Sequence, residues 1–413
     1  MIYYNSNDIK KIYMGNILIS EAYVGVQKVF PSEEHDYSQD YFTAVIKSNG
    51  TIKFSGATAN HRLSYSKNEG ETWSNPNRSI DIVVSEGDRV LFKGVNSAPN
   101  QNYGIGFFST TSYFDVEGNI MSLLNGDNFK NGTLLDYSFV NLFKNNSFLQ
   151  SAKNLVLPNN ATIKCYSGMF QNCRNLTTAP ELPATTLTNY CYANMFQNCR
   201  NLTTAPELPA TTLANYCYAN MFTECDSLIT APELPATVLM EGCYSSMFKG
   251  CDSLITPPQL LAETLTKYCY SNMFYECINL TTAPELLTTT LADYCYEYMF
   301  ANCAKLTSAP SILPATILAK GCYQNMFYNC NALTKAPELQ AETLVEECYK
   351  EMFRDCEFIE YIKCLATDIS ASNCTTNWLS GVAASGTFIK NSSMTSWTRD
   401  TNGIPTNWTV EDA

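Results

Sequence analysis

Histidine is nearly missing from this chain: His35 and His61 are the two in 413 residues. Beyond residue 61 no Ser/His/Asp or Cys/His set can be assembled, so that long stretch lacks the usual nucleophile and base. The spacing C-x-x-C never occurs, and no histidine accompanies the later cysteines, which argues against a zinc cluster. No glycine-rich loop of phosphate-cradling spacing is found. Charge is sparse at 16%, and its balance is acidic, with a net charge of −13 and no basic run. That balance excludes nucleic acid and an anionic membrane as main partners. No apolar run reaches bilayer length, so no membrane insertion is expected. The opening residues, Met1 to Asp8, lack the basic start and apolar centre of a secretory signal, which predicts a chain made and assembled in the cytoplasm.

What the chain has in quantity is one phrase, repeated. The pair Cys-Tyr opens at Cys165, Cys191, Cys217, Cys243, Cys269, Cys295, Cys322 and Cys348. The step is 26 residues, with a single step of 27 where Pro310-Ser311-Ile312-Leu313-Pro314 carries an extra residue. Residues 170–187 recur unchanged at 196–213. A fixed period in the twenties marks a solenoid whose coils stack on like coils. Leu213, Cys217 and Met221 are four apart and share one side of a helical turn, with Tyr218 and Phe222 on the neighbouring side. Leu228, Ala231 and Leu234 then line an extended run ending at Pro235. The repeat core is therefore Cys191, Met195, Phe196, Cys199 and Leu202, and in the next coil Cys217, Met221, Phe222, Cys225 and Leu228. Eight coils at a strand spacing of about 4.8 Å make a rod of about 40 Å. Sixteen of the 18 cysteines occupy the two repeat positions. Parallel side chains at that spacing suit buried thiols, which behave as small apolar residues, better than disulfides.

The segment Met221-Phe222-Thr223-Glu224-Cys225-Asp226-Ser227-Leu228 resembles the A-F-x-x-C-x-x-L core of leucine-rich repeats of the bacterial surface-adhesin type. The fuller wording, C-Y-x-x-M-F-x-x-C-x-x-L-x-x-A-P-E-L-P-A-T-T-L, is similar to a variant found in gut Bacteroidetes and their phages. The resemblance implies a fold that is mainly β with short helical turns: a leucine-rich-repeat solenoid over residues 126–364, preceded by other β units. Such solenoids serve as general binding scaffolds, so it implies no reaction.

The rest of the chain divides around that array. Residues 1–31 read as a small β segment, with Ile9–Met14 and Ile17–Ile19 flanking the turn pair Gly15-Asn16. The wording I-K-K-I-Y-M-G-N resembles the start of structural proteins of Bacteroides phages, crAss-like ones included, where the leading segment docks to the particle. Residues 32–37 read as a linker. Residues 38–125 carry seven candidate strands, 41–47, 51–54, 63–66, 80–84, 89–93, 105–109 and 113–116, which suggests an all-β, sandwich-like domain. Within it Ser66-Lys67-Asn68-Glu69-Gly70-Glu71-Thr72-Trp73 resembles the Asp-box of sialidases, with Asn68 for the usual Asp. One box is a structural turn rather than a glycosidase site. Residues 126–164 form a degenerate entry to the solenoid, the repeat stops after Cys364, and the tryptophan-rich residues 365–413 are expected to cap it.

Two columns of polar residues accompany the repeats. Thr203-Thr204 and Thr281-Thr282 belong to one. Glu181, Glu207, Glu233, Glu285 and Glu338, interrupted by Gln259 and Ser311, form the other. The acidic column is expected to be a solvated face, with calcium as the alternative. Positions that vary between coils are better candidates for binding, because packing does not dictate them: Tyr275, Tyr298 and Tyr328 with Lys249, Lys335 and Arg354. No cofactor, metal or catalytic residue is expected. The sequence thus points to a non-enzymatic virion protein. Its start would contact other virion proteins, its β domain would be a spacer, and its solenoid would meet a host protein or glycan, with a dimer or trimer compatible. A bacterial cell-surface adhesin of the same repeat class is the alternative, and a glycan hydrolase a remote one.

Overall fold

The computed structural model describes residues 12–14, 17–19, 22–24, 27–30, 35–74, 79–395 and 397–413. Near the start, strands β1 (Ile12–Met14) and β2 (Ile17–Ile19) pair antiparallel, as do β3 (Ala22–Val24) and β4 (Gln27–Phe30). Residues 1–11 and 31–34, including the first half of the expected linker, lie outside the described residues.

All seven strands expected between 38 and 125 are present: β5 (Phe42–Ile46), β6 (Gly50–Gly56), β7 (Ser64–Ser66), β8 (Ser79–Val84), β9 (Arg89–Lys93), β10 (Gly106–Thr110) and β11 (Phe114–Asn119). β10, β6 and β8 form one sheet. β11, β5, β9 and β7 form a second, which β12 (Leu149–Val156) extends on its other edge. The Asp-box turn is tied as its residue types require. Asn68 Oδ1 accepts the Thr72 N–H at 3.1 Å, Ser66 Oγ accepts the Gly70 N–H at 3.0 Å, and Gly70 sits at φ +88°. Trp73 then packs edge-on to Tyr41 and lies 4.1 Å beneath the Lys93 ammonium.

This unit is not a separate spacer, and here the structure corrects the sequence reading. β12 is the first strand of the solenoid, and it runs parallel to β11. The ring of Phe143, in the first coil, stacks on Phe108 of β10 at 5.6 Å and on Phe170 of the next coil at 5.4 Å. A single apolar core runs from Phe42 and Ile46 through every coil to Trp408. The boundary expected at residue 125 therefore divides a sequence pattern, not a core.

Each coil opens with a ladder of turns where a helical turn was expected. Alternate N–H groups close four-residue turns within the coil, as from Met221 to the Tyr218 carbonyl and from Thr223 to that of Asn220. The intervening N–H groups cross to the next coil: Tyr218 to Cys243 O, Asn220 to Ser245 O, Phe222 to Met247 O and Glu224 to Lys249 O, at 2.8–3.1 Å. No donor is left over for an i→i−4 helical bond. Every fourth residue is left-handed, as at Tyr216, Asn220 and Glu224 (φ 55–57°), the third-residue geometry of a type II turn. Asparagine and glycine tolerate it, which accounts for Asn194, Asn198, Asn272, Asn325 and Asn329. The four-residue turn period keeps i and i+4 on one side, so the helix-like spacing still buries the expected set. Cys191, Met195, Phe196, Cys199, Leu202, Cys217, Met221, Phe222, Cys225 and Leu228 are all fully buried.

Like residues then pile into columns. Phenylalanines from Phe143 to Phe353 stack at 5.4–5.8 Å with nearly parallel planes, and Tyr166 to Tyr349 form a second stack beside them. These are offset-stacked rings, whose favourable geometry repeats from coil to coil. All eighteen cysteines are free, buried thiols. The second cysteine of each repeat also links coils: Cys225 Sγ donates to the Phe196 carbonyl at 3.2 Å, and Cys251 Sγ to that of Phe222 at 3.1 Å. A small side chain that is apolar yet carries a donor fits this place, where alanine lacks the donor and serine costs more to bury.

The array does not stop at Cys364, a second correction. Asn373, Asn377 and Gly381 are left-handed at the three ladder positions, and Phe353 donates to the Trp378 carbonyl. Trp378 stacks between Tyr349 and Trp397 and so extends the tyrosine column. β13 (Ile312–Leu313), β14 (Glu338–Leu339), β15 (Tyr361–Cys364), β16 (Thr387–Lys390) and β17 (Thr409–Asp412) form a parallel sheet on the other side. Residues 365–413 are thus further coils in altered wording, not a separate cap.

The buried tyrosine hydroxyls differ in their partners. Those of Tyr166, Tyr192 and Tyr244 have none, whereas that of Tyr296 meets Thr288 Oγ1 at 3.2 Å, because threonine there replaces the alanine of other coils. Tyr244→Phe is expected to raise stability by up to ~1 kcal/mol, and Tyr296→Phe to lower it by about 1 kcal/mol. Chemical denaturation of the two variants checks the opposite signs.

Candidate recognition surface

The residue after each core phenylalanine follows the turn ladder along its outer side; Gln171, Gln197, Lys249, Tyr275, Tyr328 and Arg354 are partly exposed there, while Thr223 and Ala301 are buried. The position of this residue is set by backbone bonds: its carbonyl accepts the N–H of a left-handed residue one coil back, as Lys249 from Glu224, Tyr275 from Gly250, Tyr328 from Asn302 and Arg354 from Asn329. Packing fixes the place but not the side chain. The column reads Gln171, Gln197, Thr223, Lys249, Tyr275, Ala301, Tyr328, Arg354. In its second half the side chains meet. Lys249 Nζ lies 4.7 Å over the Tyr275 ring, and the Arg354 guanidinium 5.8 Å over that of Tyr328. Tyr298, on the adjacent left-handed column, stands edge-to-face to Tyr275 at 6.1 Å. Five of the six variable residues singled out in the sequence therefore share one surface. Lys335 does not: it lies on the strand side, bridged to Tyr361, with its ammonium 5.0 Å over that ring.

Carboxylates border this surface. Glu351 binds Arg354 at 3.0 Å, and Glu347 binds Lys350 at 3.0 Å. Burial, then the neighbouring Glu297 and Glu351 charges, push the Tyr298 phenol above its ordinary range. Tyr275 is raised by burial and then by Glu276, and the Glu297 carboxyl is raised by burial. Glu351 holds Arg354 firmly protonated. The surface offers π faces, phenol donors and carboxylate acceptors. The histidines lie elsewhere: His61 is buried against the Ala98 carbonyl, and His35 pairs with Asp40.

A second row escaped the sequence reading. Tyr190, Tyr216, Tyr268 and Tyr294 occupy the first left-handed position of their coils and stack in pairs at 5.1 and 5.3 Å. Each pair ends at a glycine. A Cβ on Gly242 would fall 2.2 Å from the Tyr216 ring, and one on Gly321 would fall 2.3 Å from that of Tyr294. Burial and a bond to Glu241 push the Tyr216 phenol up to about 12. The signal was present in Asn-Tyr-Cys-Tyr, a tyrosine directly before the cysteine, exchanged for glycine at 242 and 321.

On the opposite side Glu181, Glu207, Glu233 and Glu285 are exposed, and Glu338 binds Lys363 at 3.0 Å. Among the described residues no group of three or more His, Cys, Asp or Glu is placed to hold a metal ion. None of the described helices is long and apolar enough to cross a membrane.

Stacked short coils, a continuous core and a variable outer column define a solenoid repeat protein. The chain belongs to the BspA type leucine-rich repeat family, which matches residues 128–255 and 267–378 in six copies, more than half of its length. Among solved structures it is similar to a leucine-rich repeat protein from Bacteroides ovatus ATCC 8483, with 13% identity and a TM-score of 0.24, over 66% of this chain and 86% of that one. No curated protein matches it.

Proposed function

We propose that this is a non-enzymatic recognition protein of the adhesin type, displayed at a surface, which binds a protein or glycan through the turn face between Lys249 and Arg354. The observation that carries the reading is the contrast between columns. Core positions keep one residue type through the array, while the outer column changes to tyrosines backed by cations in its second half. Aromatic groups anchored in this way bring large contact area at low entropic cost. Tyr275→Ser combined with Tyr328→Ser is expected to lower binding to intact bacterial cells or an immobilised glycan array by about tenfold. Unchanged binding by a folded double variant would overturn the assignment.

Display on a virion is the second reading, with residues 1–31 contacting other virion proteins and a dimer or trimer of rods on the particle. The phage-like wording from Ile9 to Asn16 favours it, and the paired strands β1 and β2 suit a small docking module. Mass spectrometry of purified particles against cell envelopes separates the two settings.

A further inference from the structure

The joint between the β unit and the first coil leaves the turn ladder incomplete. From the second coil on, the ladder carbonyls receive an N–H from the coil before, as Ser167 from Asn141 at 3.0 Å and Gln171 from Asn145 at 2.8 Å. Before the first coil stands the β unit, which fills that role in part. Ile105 donates to the Ser138 carbonyl at 3.1 Å, and Phe108 to that of Leu142 at 2.8 Å. The Val140 and Lys144 carbonyls, on the alternate rungs, accept no hydrogen bond among the described residues. At this place lies a cavity of about 260 Å3 lined by Tyr103, Phe107, Asn141, Lys144 and Asn145. Tyr103 and Phe107 are 57 and 42% exposed.

The walls are held in place. Asn100 and Gly104 exchange backbone hydrogen bonds at 2.7 and 2.8 Å around Tyr103. Gly104, at φ +55°, lies so near the coil that a Cβ would fall 2.6 Å from the Ser138 carbonyl. Asn141 Nδ2 ties the same loop to the coil through the Asn102 carbonyl at 3.0 Å. Asn145 Oδ1 accepts from Asn172 Nδ2 at 2.6 Å, and among the described residues Asn145 Nδ2 has no acceptor. The cavity therefore combines aromatic surface with an open carbonyl, an amide donor and the Lys144 ammonium. A purely apolar ligand would leave those polar groups unpaired. A peptide strand along the row would need the Leu142 rung as well, and Phe108 already holds it. Separate hydroxyls around an apolar ring face meet both conditions. The volume lies below the roughly 300–1,000 Å3 of sites for drug-sized ligands, which suits one ring. We propose that this cavity binds a single hexopyranose unit of a glycan. Its C–H face packs on Phe107 and Tyr103, and its hydroxyls donate to the Lys144 carbonyl and accept from Asn145 Nδ2 and Lys144 Nζ. Lys144 stands on the outer column four coils before Lys249, so the site is separate from the Lys249–Arg354 face and does not rest on the function proposed for it.

The probes are the methyl glycosides of glucose, galactose and N-acetylglucosamine, with sorbitol, which has the hydroxyls without the ring, as control. Saturation-transfer NMR on the full chain reads binding. At least one glycoside is expected to bind, and sorbitol is not. Tyr103→Ser combined with Phe107→Ser is expected to weaken glycoside binding at least about tenfold, with an unchanged circular dichroism spectrum. Asn145→Gly is expected to weaken it as well, and the fold accepts glycine there, since Gly250 and Gly381 hold the same left-handed place in later coils. The Tyr275→Ser, Tyr328→Ser variant is expected to bind the glycoside as the natural chain does. Failure of the natural chain to bind any glycoside, equal binding by either cavity variant, equal binding of sorbitol, or equal loss in the turn-face variant would each overturn the proposal. So would displacement of the glycoside by an uncharged peptide, acetyl-tetra-alanine amide.

Discussion

Raising the pH is expected to unfold this protein cooperatively between about pH 9 and 10, well before an ordinary domain would respond. The cause is the cysteine columns. Burial pushes Cys191, Cys217, Cys269 and Cys322 up to about 12, and other repeat thiols are raised further, from an ordinary value of 9.0. The native thiol thus keeps its proton while the unfolded chain loses it. Stability is complete below pH 9 and falls as pH rises toward the folded value. At half a unit above 9 each thiol costs about 0.8 kcal/mol, and sixteen together cost roughly a dozen. That equals the roughly 5–15 kcal/mol that holds a typical domain. The buried tyrosines, also raised by burial, add to the loss at higher pH. Circular dichroism across a pH series reads the midpoint, and thiol titration at pH 8 should find the native thiols unreactive. A fold unchanged at pH 11 would refute the account.

The second large effect is expected from the joint between the β unit and the coils. Phe143 is held between Phe108 and Phe170 and also faces Phe42. Phe143→Ala is expected to cost about 3–5 kcal/mol, as for other buried aromatics cut to alanine. Excision of residues 35–125 should do more. It would strip the cover from Phe139, Phe143, Leu149 and Ala152, all fully buried in the intact chain, and leave an open apolar stack end. Aggregation, or loss of the first coils in hydrogen exchange, is the expected outcome. A soluble, monomeric chain lacking residues 35–125 with unchanged thermal stability would show that the β unit is a spacer after all.

Much of the architecture was legible because each side chain recurs in the same surroundings. A residue that must lie on its own copy reveals its column by period alone, so Phe222 and Cys225 could be placed in the core before any coordinate. The helix-like spacing misled for a definite reason: a four-residue turn period and a 3.6-residue helical period both set Cys217 beside Met221. Only the inter-coil destination of the Asn220 and Phe222 N–H groups separates them, and local wording does not contain it. The end at Cys364 was missed because Trp378 and Trp397 continue the stack with different side chains but the same ring geometry. On the candidate surface, variability identified Lys249, Tyr275, Tyr298, Tyr328 and Arg354, while Lys335, equally variable, lies on the other side of the rod.

The sequence by itself determined that like residues would stack, which of them would be buried, and that the thiols would be unpaired. These follow from periodicity, because each coil can hide its apolar side chains only against copies of itself. Tertiary structure alone decided that the β unit shares the solenoid's core, that turns rather than helices join the coils, and which variable residues meet. Those outcomes depend on hydrogen bonds and ring contacts between residues far apart in the chain, whose partners no local spacing specifies.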